Sequence, residues 1–145
     1  MKVNEAPVIV EEVFDASVQS VWNAIAIVDE MRAWYFDNIP AFEARVGFET
    51  QFMVTSEGRE FPHLWKVTEV VPLKKISYDW RFGNYPGRAL VTFELTEQGG
   101  STTLKLTNTV LEDFPGDVPE FKRESCLAGW QYFIGQSLKK YLEQQ

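Results

Sequence analysis

Residues 76–82 read Ile-Ser-Tyr-Asp-Trp-Arg-Phe. Apolar side chains stand at every second position, Ile76, Tyr78, Trp80 and Phe82, opposite Ser77, Asp79 and Arg81. A period of two marks a strand with one buried and one wet face, which is the habit of antiparallel sheets. The same pattern extends on both sides. Downstream, Asn84 to Gly87 reads as a turn, after which Ala89, Val91, Phe93 and Leu95 alternate with Leu90, Thr92 and Glu94. Gln98-Gly99-Gly100 makes a hairpin, and Thr102, Leu104, Leu106, Asn108 and Val110 supply the next strand. Upstream, His63, Trp65 and Val67 share a face on a strand that Pro72 ends. Ser56-Glu57-Gly58 turns the chain, and before it Phe48, Thr50, Phe52 and Val54 oppose Glu49, Gln51 and Met53.

Helical spacing appears only at the two ends. Val8 to Phe14 is a β-rich run, and Ser17 then stands as an N-cap before Val18, Val21, Trp22 and Ile25, one helical face. A second short helix starts at Asp29, carries Met31 and Trp34, and ends near Asp37-Asn38 and Pro40. Toward the C-terminus, Asp117-Val118-Pro119-Glu120 reads as a capping box for a helix running to about Leu142. Its apolar stripe passes through Phe121, Leu127, Trp130, Ile134, Leu138 and Tyr141. One helix cannot cover a flat sheet of so many strands, so the sheet must curl around it and leave a lengthwise space. The expected fold is α+β, a curved antiparallel sheet with two short helices around a long C-terminal helix. Residues 1–145 form a single domain, with neither repeat nor linker.

Composition narrows the function classes. Apolar residues make up 45% and charged residues 24%, the balance of a globular domain. Eleven Phe, five Trp and five Tyr are an unusual load of rings, which must fill a core or line a cavity. A net charge of −7 argues against nucleic acid and against an anionic membrane surface. No stretch approaches the apolar length of a membrane helix, and residues 1–10 lack the apolar region of a signal peptide. The single Cys126 has no internal disulfide partner, so a reducing, cytoplasmic setting is expected. One His and one Cys are too few for the usual zinc site, and neither metal nor cofactor is expected.

Several motifs carry a resemblance. Phe14-Asp15-Ala16-Ser17 with Val21-Trp22-Asn23-Ala24, Trp34-Tyr35-Phe36, and Val67-Thr68-Glu69-Val70-Val71-Pro72 follow one another in family order. Ile76-Ser77-Tyr78-Asp79-Trp80, Gly99-Gly100-Ser101-Thr102-Thr103-Leu104-Lys105-Leu106-Thr107, and Gly129-Trp130 with Leu138 and Tyr141-Leu142 complete the set. Together they resemble the START-like or SRPBCC superfamily, the helix-grip fold of the birch-pollen allergen. Within it they are most similar to the homologues of the activator of the heat-shock protein 90 ATPase. The resemblance implies a hydrophobic cavity between sheet and C-terminal helix. It does not by itself imply contact with a chaperone. Where many relatives have Thr-His at the end of the last strand, this chain has Thr107-Asn108, so a role carried by that histidine is not transferred.

The candidate ligand-binding set is Trp34, Phe52, His63, Trp65, Tyr78, Trp80, Phe82, Phe93, Asn108, Phe121, Glu124 and Trp130. Most are rings that either fill the core or face a guest. His63, Tyr78, Asn108, Glu124 and Gln131 are the polar groups that could orient one. His63 is an acid, base or hydrogen-bond donor if it faces inward, and otherwise a strand-end histidine bonded to a neighbour. Cys126 reads as a small hydrophobe rather than a nucleophile. Glu112, Asp113, Asp117 and Glu120 read as a solvated helix entrance rather than a cation site. The leading expectation is a non-enzymatic module that binds a small hydrophobic molecule such as a lipid or aromatic metabolite. A cyclase, hydratase or lyase with His63 or Glu124 as proton carrier, and a stress-related chaperone-interacting module, are the alternatives. A weak homodimer is compatible with either.

Overall fold

The computed structural model describes residues 1–145. The strands are β1 (Val8–Phe14), β2 (Glu49–Ser56), β3 (Arg59–Val71), β4 (Lys75–Phe82), β5 (Tyr85–Gln98) and β6 (Ser101–Glu112). They form one curved antiparallel sheet in the order β1-β6-β5-β4-β3-β2. The period of two holds on β3, where Phe61, His63, Trp65 and Val67 are buried, and on β5, where Ala89, Val91, Phe93 and Leu95 are. On β4 it is broken at Ser77, expected on the wet face but buried, with its hydroxyl 2.9 Å from that of Thr92 on β5. Between Ser56 and Arg59, which pair, Glu57 and Gly58 both take positive φ (51° and 79°), as a primed two-residue turn needs.

The link after β4 is tighter than the expected Asn84–Gly87 turn. Phe82 pairs with Tyr85, so only Gly83 and Asn84 turn and β5 begins at once. The strand then passes through Pro86 and Gly87, and the register shifts between Arg88 and Ala89. Gly87 has φ +116°, and a Cβ there would lie 2.3 Å from the Phe114 ring. Bulged backbone and a ring lying against it account for the glycine.

Helix α1 (Val18–Ala26) is capped as expected, with the Ser17 hydroxyl accepting from the Ser20 amide at 3.1 Å. Helix α2 (Val28–Trp34) is shorter than expected, since Tyr35 already leaves helical geometry (φ −106°, ψ −114°). The Trp34 indole donates to the Ala24 carbonyl at 2.7 Å and ties the two helices together.

The capping box at residues 117–120 does not form. Pro119–Phe121 make a single 3-10 turn, Lys122 is extended (φ −77°, ψ 149°), and the long helix begins only at Arg123. The break lets Phe121 turn inward, where it is buried. Glu120 bonds instead to Arg59 at 2.9 and 3.1 Å. The long helix comprises α3 (Arg123–Tyr132), a π-helical stretch (Phe133–Leu138) and α4 (Lys139–Glu143), joined without leaving helical dihedrals. Trp130, Ile134, Leu138 and Leu142 are its buried residues, four apart each time. Each step of four overshoots a 3.6-residue turn by about 40°. The wider π turn winds the face back, and so Leu142 rather than Tyr141 ends the buried stripe. The Ser137 hydroxyl donates to the Trp34 carbonyl at 2.6 Å and the Tyr141 hydroxyl to Glu30 at 2.8 Å, fastening the C-terminal half of the helix to α2. No helix is long and apolar enough to cross a membrane.

Candidate functional site

The interior divides into two apolar clusters. The larger one gathers 25 buried residues under α1, α2 and the C-terminal half of the long helix. The smaller one consists of Phe61, Ala89, Phe114, Val118 and Phe121. Between them lies a cavity of about 290 Å³, walled on the sheet side by His63, Trp80, Phe82 and Ala89, and on the helix side by Cys126, Gly129, Trp130 and Phe133. That volume sits at the lower end of the usual ligand-pocket range.

The expected residues separate into two groups. His63, Trp80, Phe82, Asn108, Phe121 and Trp130 line this cavity. Trp34, Phe52, Trp65, Tyr78 and Phe93 are packed in the larger cluster away from it. Tyr35 is the organiser of that second group. It stacks on Trp34 (4.6 Å, 3°) and on Trp65 (5.4 Å, 28°), and its hydroxyl shares a 2.8 Å hydrogen bond with the hydroxyl of Tyr78. Burial raises both phenols well above their ordinary pKa, so the pair stays neutral. Trp65 brings its indole Nε1 into this cluster without a partner. Glu124 and Gln131 are exposed on the long helix and do not reach the cavity. Phe121 lines the cavity, whereas Trp34 is held by Ala24 and Tyr35, and Phe36, two residues past α2, stands in the wall instead.

Other wall residues had escaped the sequence reading: Phe36, Phe61, Phe114 and Phe133 among the rings, and Ala89, Ser125 and Gly129 among the small residues. A signal for the small ones does exist. Ala89 is the smallest of the alternating residues Ala89, Val91, Phe93 and Leu95, and Ser125, Cys126 and Gly129 follow one another at helical spacing.

His63 does both things expected of it. Its Nδ1 lies 2.8 Å from the Phe61 carbonyl, and the ring stacks on Phe52 (5.1 Å, 27°) while lining the cavity. Burial pushes the imidazole down to about 4, so the ring is neutral and Nδ1 carries the proton it donates to Phe61. Cys126, also in the wall, is pushed up to about 11 by burial and is a thiol at neutral pH. At the mouth, Arg59 holds the Glu120 carboxyl below its ordinary range. Of the rest of the acidic group, Glu112 pairs with Arg88 at 2.9 Å and Asp113 accepts from the Val3 amide at 2.7 Å. No group of three or more His, Cys, Asp or Glu is placed to hold a metal. Asn108 is buried in the wall with its Nδ2 unpartnered.

Comparison with known proteins bears on the same architecture. The family model described as "Activator of Hsp90 ATPase homolog 1-like protein" matches residues 15–143. No curated protein matches. Among solved structures, a protein of Chromobacterium violaceum is 22% identical over 94% of this chain and 96% of its own, with a TM-score of 0.77. The Aha1 dimer from Colwellia psychrerythraea is 22% identical over 96% and 97%, with a TM-score of 0.71. DynU16, a protein of the dynemicin biosynthetic locus, is 25% identical over 96% of this chain and 48% of its own, with a TM-score of 0.75. The likenesses to the first two are of fold alone. With that match over nearly its whole length and a curved sheet gripping one long helix, the chain belongs to the activator of Hsp90 ATPase homolog 1-like family of the START-like (SRPBCC) superfamily.

Proposed function

We propose that this chain is a non-enzymatic binding module that takes a small, largely apolar molecule, a lipid or an aromatic metabolite, into the cavity beneath the N-terminal half of its long helix. One observation carries this: the chain's many rings leave about 290 Å³ unfilled between the two apolar clusters. Protein interiors are ordinarily packed without such space. His63, Trp80, Phe82, Asn108, Phe121 and Trp130 are the proposed contacts, and burial of apolar area supplies most of the driving force.

The cyclase or lyase alternative needs a proton carrier facing the guest. Glu124 is exposed, and His63, held down at about 4, is a weak base at neutral pH. Both facts favour binding over chemistry. The chaperone-interacting alternative rests on the family name, whereas the cavity favours a small-molecule partner. A cytoplasmic setting fits the one free thiol, Cys126. Native mass spectrometry on protein purified from its own host should detect a co-purifying small molecule. Absence of any adduct, together with no thermal shift across a panel of lipids, steroids and aromatic compounds, refutes the proposal.

A further inference from the structure

The cavity is not walled evenly, and its thin side has a definite place. Helix α3 leans toward β1, and the Arg123 guanidinium donates to the carbonyl of Pro7, just ahead of that strand, at 3.3 Å. The opposite edge of the sheet, β2, receives no such cover. Its inward residues lose protection in order: Phe52 is buried, whereas Val54 and Ser56, both in the cavity wall, are only half-buried. On α3, Ser125 and Gly129 stand four residues apart, on one face, and both border the cavity while exposed to solvent. Residues that are at once in the wall and exposed mark where a cavity meets water. The rest of the wall is closed: His63, Ala89, Phe114 and Trp130 border the same space and are buried.

The opening is thus a slot between β2 and α3. Phe36 and Phe133, whose rings meet at 5.1 Å and 62°, close one end of it. At the other stand Arg59, which pairs with Ser56 across the β2–β3 hairpin, and Glu120, joined to it at 2.9 and 3.1 Å. Chemistry changes from floor to rim. Among the buried residues of the wall only His63 and Asn108 are polar, and the others are rings and Ala89. The rim carries the hydroxyls of Ser56 and Ser125 and the ion pair. The Ser125 hydroxyl donates to the Pro119 carbonyl at 2.9 Å, which leaves its oxygen able to accept. A polar group resting in the slot keeps its water, whereas one carried to the floor gives it up at a cost.

We propose that the slot between β2 and α3 is the entrance to the cavity and that the guest is an amphiphile: an apolar chain or ring system enters first, and one polar end stays in the slot beside Ser56, Ser125 and the Arg59–Glu120 pair. This rests on the small-molecule reading above and adds to it the direction in which the molecule lies. A large hydrophilic group on the polar end is then no obstacle, so a glycosylated or otherwise conjugated molecule fits as well as the free one.

The test follows the neutral fluorescent probe N-phenyl-1-naphthylamine on the intact chain. 1-Octanol and octyl glucoside, the latter kept below its micelle-forming concentration, share one chain and differ in the size of the polar end. Both should displace the probe, with affinities within about threefold of each other. Entry is tested by tagging the rim. Ser56→Cys, Ser125→Cys and, as a control, Gln131→Cys, at an exposed position that does not border the cavity, are each alkylated with N-cyclohexylmaleimide. At neutral pH the native Cys126 stays a thiol, and mass spectrometry verifies a single adduct. Probe affinity should fall by about tenfold or more in the two rim adducts and hold in the control. Displacement by octanol alone, or by neither compound while the probe binds, overturns the orientation. Full affinity in both rim adducts, or an equal loss in all three, overturns the slot as entrance. No saturable probe signal from the unmodified chain, and no thermal shift from either compound, overturns the binding function itself. The wild-type pair of compounds decides the orientation even if a variant does not fold.

Discussion

Replacing Gly129 by alanine should stabilise the protein while narrowing its cavity. Gly129 lies inside α3 and is not among the glycines with positive φ, so its backbone demands nothing that alanine lacks. Glycine in a helix interior is less favourable than alanine by about 0.5–1 kcal/mol, because it surrenders more backbone freedom on folding. A common reason to keep one there is a neighbour that would strike the side chain. Here an added Cβ meets nothing within 4 Å. What the position does border is the cavity. The expected gain of about 0.5–1 kcal/mol should raise the melting midpoint by roughly 1–4 °C for a chain of this size, measured by circular dichroism without ligand. Gly129→Phe extends the perturbation. A benzyl group placed there competes for the space proposed for the guest, so the affinity for N-phenyl-1-naphthylamine should fall at least tenfold while the helix remains intact. A lower midpoint for Gly129→Ala would mean that the glycine serves a close approach. Unchanged probe affinity in Gly129→Phe would show that the probe does not sit beneath the helix.

Three further outcomes follow from the same geometry. His63 titrates at about 4 when folded against an ordinary 6.5, so between those values the unfolded chain binds a proton that the folded one refuses. Stability is full above about pH 6.5 and falls through this window by on the order of 3 kcal/mol, and His63→Gln should flatten the slope in denaturant titrations run from pH 7.5 to 4.5. Cys126→Ser should change stability by no more than about 1–2 kcal/mol and preserve probe binding, and the native thiol, pushed up to about 11, should react slowly with iodoacetamide at pH 8. Tyr35→Phe or Tyr78→Phe alone strands a buried hydroxyl at a loss of about 1–3 kcal/mol, whereas the double variant should lose less than the sum of the two in chemical denaturation.

The fold was legible because its signals are local. Alternation in residues 76–82 and in the strands beside them depends only on which side of a pleat a residue falls. The Ser17 cap reaches no further than Ser20. Where the sequence misled, the deciding partner was distant. Asp117 and Glu120 have the spacing of a capping box, yet Glu120 is engaged by Arg59, 61 residues away in the chain. The π turn at Phe133–Leu138 has no compositional mark, and it alone moved the end of the buried stripe from Tyr141 to Leu142. His63 and Asn108 were placed on inward faces by alternation. That Nδ1 would be occupied by Phe61 and the Asn108 amide left free depends on three-dimensional neighbours, which periodicity does not encode.

The aromatic set was too generous because large rings are poor markers of empty space. Trp65 meets Tyr78 at 4.7 Å, Phe52 at 4.8 Å and Trp80 at 5.1 Å, and such contacts close a core instead of opening one. Space arises where small residues face one another. Trp65, Trp80, Ala89 and Val110 pair in one row across β3, β4, β5 and β6, and in that row the chain narrows to alanine. Across the cavity the helix presents Ser125, Cys126 and Gly129. Neither set of small side chains can fill the gap from its own side. The rings of Trp80 and Trp130 approach to 5.7 Å at its edge and hold the walls apart. A cavity in this fold is therefore specified by the juxtaposition of a small residue on the sheet and small residues on the helix, with the aromatics acting as rigid struts. Enlarging Ala89 should close the cavity from the sheet side as Gly129→Phe closes it from the helix side, whereas trimming Phe52, which packs in the larger cluster, should leave its volume nearly unchanged.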